Sequence, residues 1–108
     1  MIETRLGDFE EVILLLTGIL DYDAYAFRMA KEFKSQTGRN ISIGSVHSAL
    51  ERLEDKGFLR SAMGSATSER GGRRKRIFTI TALGKRVLKE SRDFKVALWK
   101  QYPGLAFE

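Results

Sequence analysis

ISIGSVHSALERLEDKGFLRSAMGSATSERGGRRKRIFTI, Ile41 to Ile80, is the stretch whose reading decides the fold. It opens with an amphipathic run, stops at Gly57, and continues as two strand-like runs around a Gly/Arg-rich loop. At about 100° per residue, Val46, Ala49, Leu50 and Leu53 share one side of a helix. Gly44, Ser48, Glu51, Arg52 and Asp55 lie opposite, and Ser45 and His47 flank the apolar stripe. Ser42 stands where an N-cap belongs, so the helix is predicted over about Ile43 to Lys56. Phe58 to Met63 and Lys75 to Ile80 read as the strands, the second with Phe78 and Ile80 on one face and Ile77 and Thr79 on the other. Helix, strand, basic hairpin, strand is the order of the second half of a winged helix-turn-helix.

Charge marks the same stretch. From Arg60 to Arg76 the chain carries Arg60, Arg70, Arg73, Arg74, Lys75 and Arg76 against one acid, Glu69, and this local excess equals the net charge of +5 of all 108 residues. A concentrated basic hairpin is what a phosphate backbone attracts, although charge runs are more often solvated loops. The first half of the exposed helix surface is small, polar and free of acids, so it can approach base edges closely. Acids begin only at Glu51, in the half expected to point away from DNA. The candidate DNA contacts are therefore Ser42, Ser45, His47, Ser48 and Arg52 from the helix, and Arg73, Arg74, Lys75 and Arg76 from the hairpin.

Each has a plainer reading. Ser45 and Ser48 also suit surface serines, and His47 a half-buried helix residue. Arg52 reads equally as a phosphate contact or as the partner of Glu51, Asp55 or another acid. Lys75 and Arg76 alternate faces on a strand, so one is expected to reach DNA and the other to be surface. Gly71 and Gly72 read as residues for positive φ or close backbone approach.

Outward from this stretch the chain is helical. Asp8 and Glu11 resemble a capping box ahead of Phe9, Val12, Ile13, Leu16, Ile19 and Leu20, which predicts a helix over about Gly7 to Leu20. After the turn Asp21 to Asp23, a second helix is predicted over about Ala24 to Thr37, with Ala26, Met29, Ala30 and Phe33 as its stripe and Gly38 as its stop. Tyr25 and Phe27 fall off that stripe and are expected to pack against the first or last helix. Asn40 to Ile43 reads as one short edge strand. On the other side, Thr81 caps a last helix whose main stripe is Leu83, Val87, Phe94, Ala97 and Leu98. Leu88 and Trp99 form a second patch, and Pro103 and Gly104 end the helix. A terminal helix with two apolar patches is expected to bury one against another chain. Trp99 reads as a dimer-interface residue or a ligand platform, with Phe94 and Leu98 lining the same region.

The fold class is thus mainly α with a small β-hairpin: a winged helix-turn-helix domain over residues 1–81, then a C-terminal dimerisation helix and tail over residues 82–108. Without cysteine there is no disulfide framework or thiolate metal site. No metal site or cofactor is expected, because the chain clusters no suitable ligands. An enzyme is not expected either: the single His stands near no Ser–Asp arrangement, and GGRRKR precedes a strand and lacks the P-loop pattern. No apolar run reaches the ~18 residues of a membrane helix. The acidic N-terminus lacks a signal peptide's apolar core, so a cytoplasmic protein with no membrane partner is expected. The rival reading is a winged-helix protein- or RNA-interaction module. It would more naturally show exposed aromatics on the third helix, and none is visible.

Four stretches carry a family resemblance: LGDFEEVILL (Leu6 to Leu15), AYAFRMAKE (Ala24 to Glu32), ISIGSVHSALERLEDKGFL (Ile41 to Leu59) and ERGGRRKRIFTITALGKRVL (Glu69 to Leu88). In this order the chain resembles a PadR-family transcriptional regulator of the short subgroup with a single C-terminal helix. The resemblance implies a homodimer built through that helix, bound to an inverted-repeat operator, usually as a repressor. It also implies release by a small molecule, and the aromatics of the last helix point to a small aromatic or hydrophobic effector. The chain departs from the common pattern at Ile43 for Pro, His47 for Tyr and Ala26 for Gly. At position 47 that replaces a hydroxyl with an imidazole as the phosphate donor.

Overall fold

The computed structural model describes residues 6–66 and 74–104. Three helices come first: α1 (Asp8–Leu20), α2 (Ala26–Thr37) and α3 (Ile43–Asp55). A two-stranded antiparallel hairpin follows, β1 (Leu59–Ala66) with β2 (Arg74–Ile80), and then α4 (Ala82–Gln101). This is the mainly helical winged helix with a C-terminal helix that the sequence predicts. No helix among the described residues is long and apolar enough to cross a membrane.

The periodic apolar residues converge on one core. Ile13, Leu14, Met29, Val46, Leu50, Leu53 and Phe58 are completely buried. Each such side chain contributes about 1.5–3 kcal/mol relative to exposure. Thr17 is buried among them and donates its hydroxyl to the Ile13 carbonyl at 2.9 Å, so its polar atom is satisfied.

Element ends differ from expectation where the chain is used twice. The first cap is Gly7 rather than Asp8: its N–H donates to Glu10 Oε1 at 3.0 Å. The second helix starts at Ala26, not Ala24, because Ala24 is needed elsewhere: its carbonyl accepts the Phe78 N–H of β2 at 2.9 Å. Residues 39–42 form no strand. They lead into the N-cap, where Ser42 Oγ accepts the Ser45 N–H at 3.0 Å.

The turn from α3 into the hairpin is a Schellman motif. Gly57 takes φ +83°, its N–H donates to the Glu54 carbonyl at 2.9 Å, and the Phe58 N–H donates to the Leu53 carbonyl at 2.9 Å. Phe58 is therefore part of the helix cap, which is why β1 begins one residue later than predicted. Its carbonyl then accepts the Thr81 N–H at 3.0 Å. Leu59 pairs with Ile80 and Met63 with Arg76, and the register shifts between Met63 and Ala66. Both strands run further toward the tip than predicted. Arg74 braces this end, its Nε donating to the Gly64 carbonyl at 3.0 Å.

Candidate nucleic-acid interface

The exposed side of α3 is built from its cap. Ser42 Oγ receives the Ser45 N–H and donates to Ser45 Oγ at 2.9 Å, so Ser42 organises the first turn and orients Ser45. Ser42, Gly44, Ser45, Ser48 and Arg52 line an open hollow with Phe9 of α1. His47 is exposed and faces the opposite way, into a cleft between α3 and the wing. Arg74, Arg76, Met63 and Phe78 form its hairpin wall. The surface of α3 thus stands between two concavities, with the basic strand on one side.

The wing's candidate residues separate. Arg76 faces the cleft and donates from Nη1 to Ser61 Oγ at 2.9 Å; Ser61 in turn donates to Glu54 Oε2 at 2.8 Å. This relay ties the wing root to α3. Lys75 turns inward: its Nζ lies 4.2 Å from the centre of the Tyr25 ring and 3.8 Å from Asp23, with its side chain only 16% exposed. Of the alternating pair, Arg76 is the one left facing the groove side. Arg73, Gly71 and Gly72 lie outside the described residues, as do Arg70 and Glu69.

The expectation for the aromatics needs correction, and the acids of α3 have a definite place. Glu51 and Glu54, in the half of α3 expected to point away from DNA, line the cleft with the wing beside His47. One turn separates Glu51 from His47, which puts them on the same side of α3. Glu54 is held by Ser61, whereas Glu51 has no hydrogen bond or ion pair among the described residues. Tyr25 is buried under Lys75, and Phe27 is exposed with Lys31 above its ring at 5.7 Å.

Arg52 finds its acid, and it is one that no local pattern indicates. Glu10 of α1, only 6% exposed, accepts Arg52 Nε at 2.7 Å and Lys56 Nζ at 2.8 Å. Burial alone would raise the Glu10 carboxyl. Hydrogen bonds from Lys56, the Gly7 N–H and Arg52 outweigh it and bring the pKa down to about 2 from 4.5. The sequence reading missed Glu10, Lys56, Glu54 and Ser61. Glu10 alone carried a signal, an acid on the first helix beside an apolar stripe, and it does not name a partner.

The last helix is also redistributed. Gly84 and Val87 are buried at its start, whereas Phe94, Val96, Leu98 and Trp99 are 42–65% exposed. Leu88, Val96 and Trp99 form a groove with Leu15 of α1, of about 520 Å³, closed at one edge by the 2.6 Å ion pair of Lys95 with Glu11. Phe94 and Leu98 do not line that groove; at about 100° per residue they project from another side of α4.

A helix-turn-helix with an open third helix beside a basic hairpin defines a DNA-binding winged-helix protein. Residues 15–90 match the profile of the Transcriptional regulator PadR-like family, and the chain belongs to that family. Its fold recurs in solved structures. The PadR-like transcriptional regulator of Bacillus cereus superposes with a TM-score of 0.70 at 16% identity, covering 86% of this chain and 85% of that one. A PadR family transcription regulator from Clostridium difficile is 27% identical, with a TM-score of 0.61 and coverage of 86% and 98%. Bacillus subtilis PadR, solved in complex with operator DNA, is 20% identical with a TM-score of 0.63; the match covers 80% of this chain and 47% of that protein. A search of curated proteins finds no match.

Proposed function

We propose that this regulator is a sequence-specific repressor that binds an inverted-repeat operator as a homodimer and leaves it when a small aromatic or hydrophobic molecule binds. One observation carries the reading: the first turns of α3 present Ser45, His47 and Ser48 outward, free of acids, beside a wing strand bearing Arg74 and Arg76. A helix in the major groove with a basic hairpin on the flanking backbone follows from that arrangement. A relative, Bacillus subtilis PadR, was solved in complex with operator DNA, which supports operator DNA as the partner. In this reading Ser45, His47 and Ser48 meet bases or phosphates, and Arg74 and Arg76 meet the backbone, with Arg73 beside them in sequence.

Pairing through α4 is supported by its exposed apolar side chains and by those of α1, Val12, Leu15 and Ile19. Two heads joined this way read half-sites on one DNA face, about 10 bp or a multiple apart. The groove of Leu15, Leu88, Val96 and Trp99 is the natural seat for an effector.

The test is a mobility shift on DNA from upstream of the protein's own gene, with competitor DNA, at two salt concentrations. A competitor-resistant complex with a footprint on an inverted repeat supports the proposal. Weak binding without sequence preference rejects the specific-regulator reading. No binding even at low salt moves the chain to a protein- or RNA-interaction module.

A further inference from the structure

We propose that Glu10 is a positioning residue for DNA binding: from α1 it aims the guanidinium of Arg52 at a backbone phosphate beside the start of α3. This rests on the reading that α3 docks on DNA. Both Glu10 oxygens are committed, Oε2 to Arg52 Nε at 2.7 Å and Oε1 to Lys56 Nζ at 2.8 Å and the Gly7 N–H at 3.0 Å. The carboxylate is nearly buried, so it has no freedom to swing outward. The Arg52 side chain is 51% exposed, and neither Nη group makes a hydrogen bond among the described residues.

Geometry gives this half-exposed arginine a direction. A guanidinium is planar, so fixing Nε fixes the plane and the line along which both Nη groups donate. That side chain lines the same open hollow as Ser42, Gly44, Ser45 and Ser48, the first turn of the helix proposed to enter the groove. The Nη fork matches the paired oxygens of a phosphate. Charge permits it as well. Within the ion-paired group one carboxylate faces two cations, so Glu10 does not cancel both, and Asp8 is the other acid lining the adjoining hollow. An arginine already held in its binding rotamer loses less freedom on contact than a free one.

The experiment measures affinity against salt for the full-length protein on an upstream fragment that the wild type binds, using R52A, E10Q and the double variant. R52A is expected to weaken binding about tenfold and to reduce the salt slope by about 0.9, the loss of one phosphate contact. E10Q is expected to reproduce that slope change with Arg52 still present, and E10Q/R52A to be no worse than R52A. K56Q, which removes the other cation from Glu10, should lower the unfolding midpoint and leave the slope alone. A structural role predicts the opposite pattern: E10Q with an unchanged slope, or effects that add in the double variant, overturns the proposal. An unchanged slope in R52A also overturns it, and the α3 reading survives if S45A and H47A still alter the preference among DNA sites. If the wild type binds no DNA, the functional reading falls and this inference with it.

Discussion

Glu10 makes the stability of this small domain depend on acid in a particular window. A folded-state value of about 2 against 4.5 means that the carboxylate is stabilised by folding. The contribution is complete above pH ~4.5 and is lost as pH falls toward 2, where the folded form also takes up the proton; its size is roughly 2–3 kcal/mol. Urea unfolding of the wild type should show that loss between pH 4.5 and 2, and the E10Q variant should show much less of it. Equal losses in both proteins would place the acid sensitivity elsewhere. Glu51 makes a different prediction, because if the cleft between α3 and the wing faces DNA, as proposed, a lone carboxylate there repels phosphate. E51Q should strengthen binding to unrelated DNA by about 3–10-fold while narrowing the gap to the operator, and competition titrations read both numbers. Both roles were hidden in the sequence for the same reason. Arg52 has Glu51 and Asp55 close by, and helical spacing draws attention to them, yet its partner lies 42 residues away on another helix. Lys75 and Arg76 were legible as a pair with opposite faces; which one turned inward depended on Tyr25 and Asp23, far off in the chain.

The elements were more legible than their partners. Periodic apolar residues located all four helices to within two residues, and Ser42 and Thr81 were readable as caps because their side chains act locally: Thr81 Oγ1 accepts the Gly84 N–H at 3.0 Å. Asn40 to Ile43 misread as a strand because a short apolar–polar alternation carries no information about what would pair with it. The close approach at Gly84 was likewise invisible. A Cβ there would lie 2.3 Å from the Phe58 carbonyl oxygen, a backbone atom fixed by the Schellman turn and by the Thr81 N–H. G84A must therefore push α4 off the wing root. The expected cost is about 1–3 kcal/mol or more, read as a lower unfolding midpoint, together with weaker operator binding. A variant with wild-type stability would show that the joint yields easily.

The whole molecule is drawn out, with extents of 54 × 32 × 20 Å and a radius of gyration of 15.7 Å. A compact chain of this length has a radius of about 13 Å. Much of the difference lies in α4, whose second half carries exposed apolar side chains and few contacts to hold it. A lone helix of this kind is marginal in water, so a second copy is its natural cover. F94D tests this cleanly, since Phe94 is 65% exposed and its loss leaves the core of one chain intact. Sedimentation should show a shift toward monomer, and operator affinity should fall at least tenfold as one of two linked heads is lost. A variant that remains dimeric would move the interface to another face of α4.

The Gly84 contact also has a mechanical meaning. Phe58 closes the end of α3 and, through its carbonyl, bears on the first turn of α4. In the proposed dimer, the head and the arm that would join it to a second copy therefore meet at one fulcrum. From there the arm extends ~25 Å, so a tilt of about 10° sweeps its tip through about 4 Å. Successive bases along one strand stand only ~3.4 Å apart. In that proposed dimer, an effector seated beside Trp99 would need to turn the arms only slightly to set the two heads a full base pair out of step.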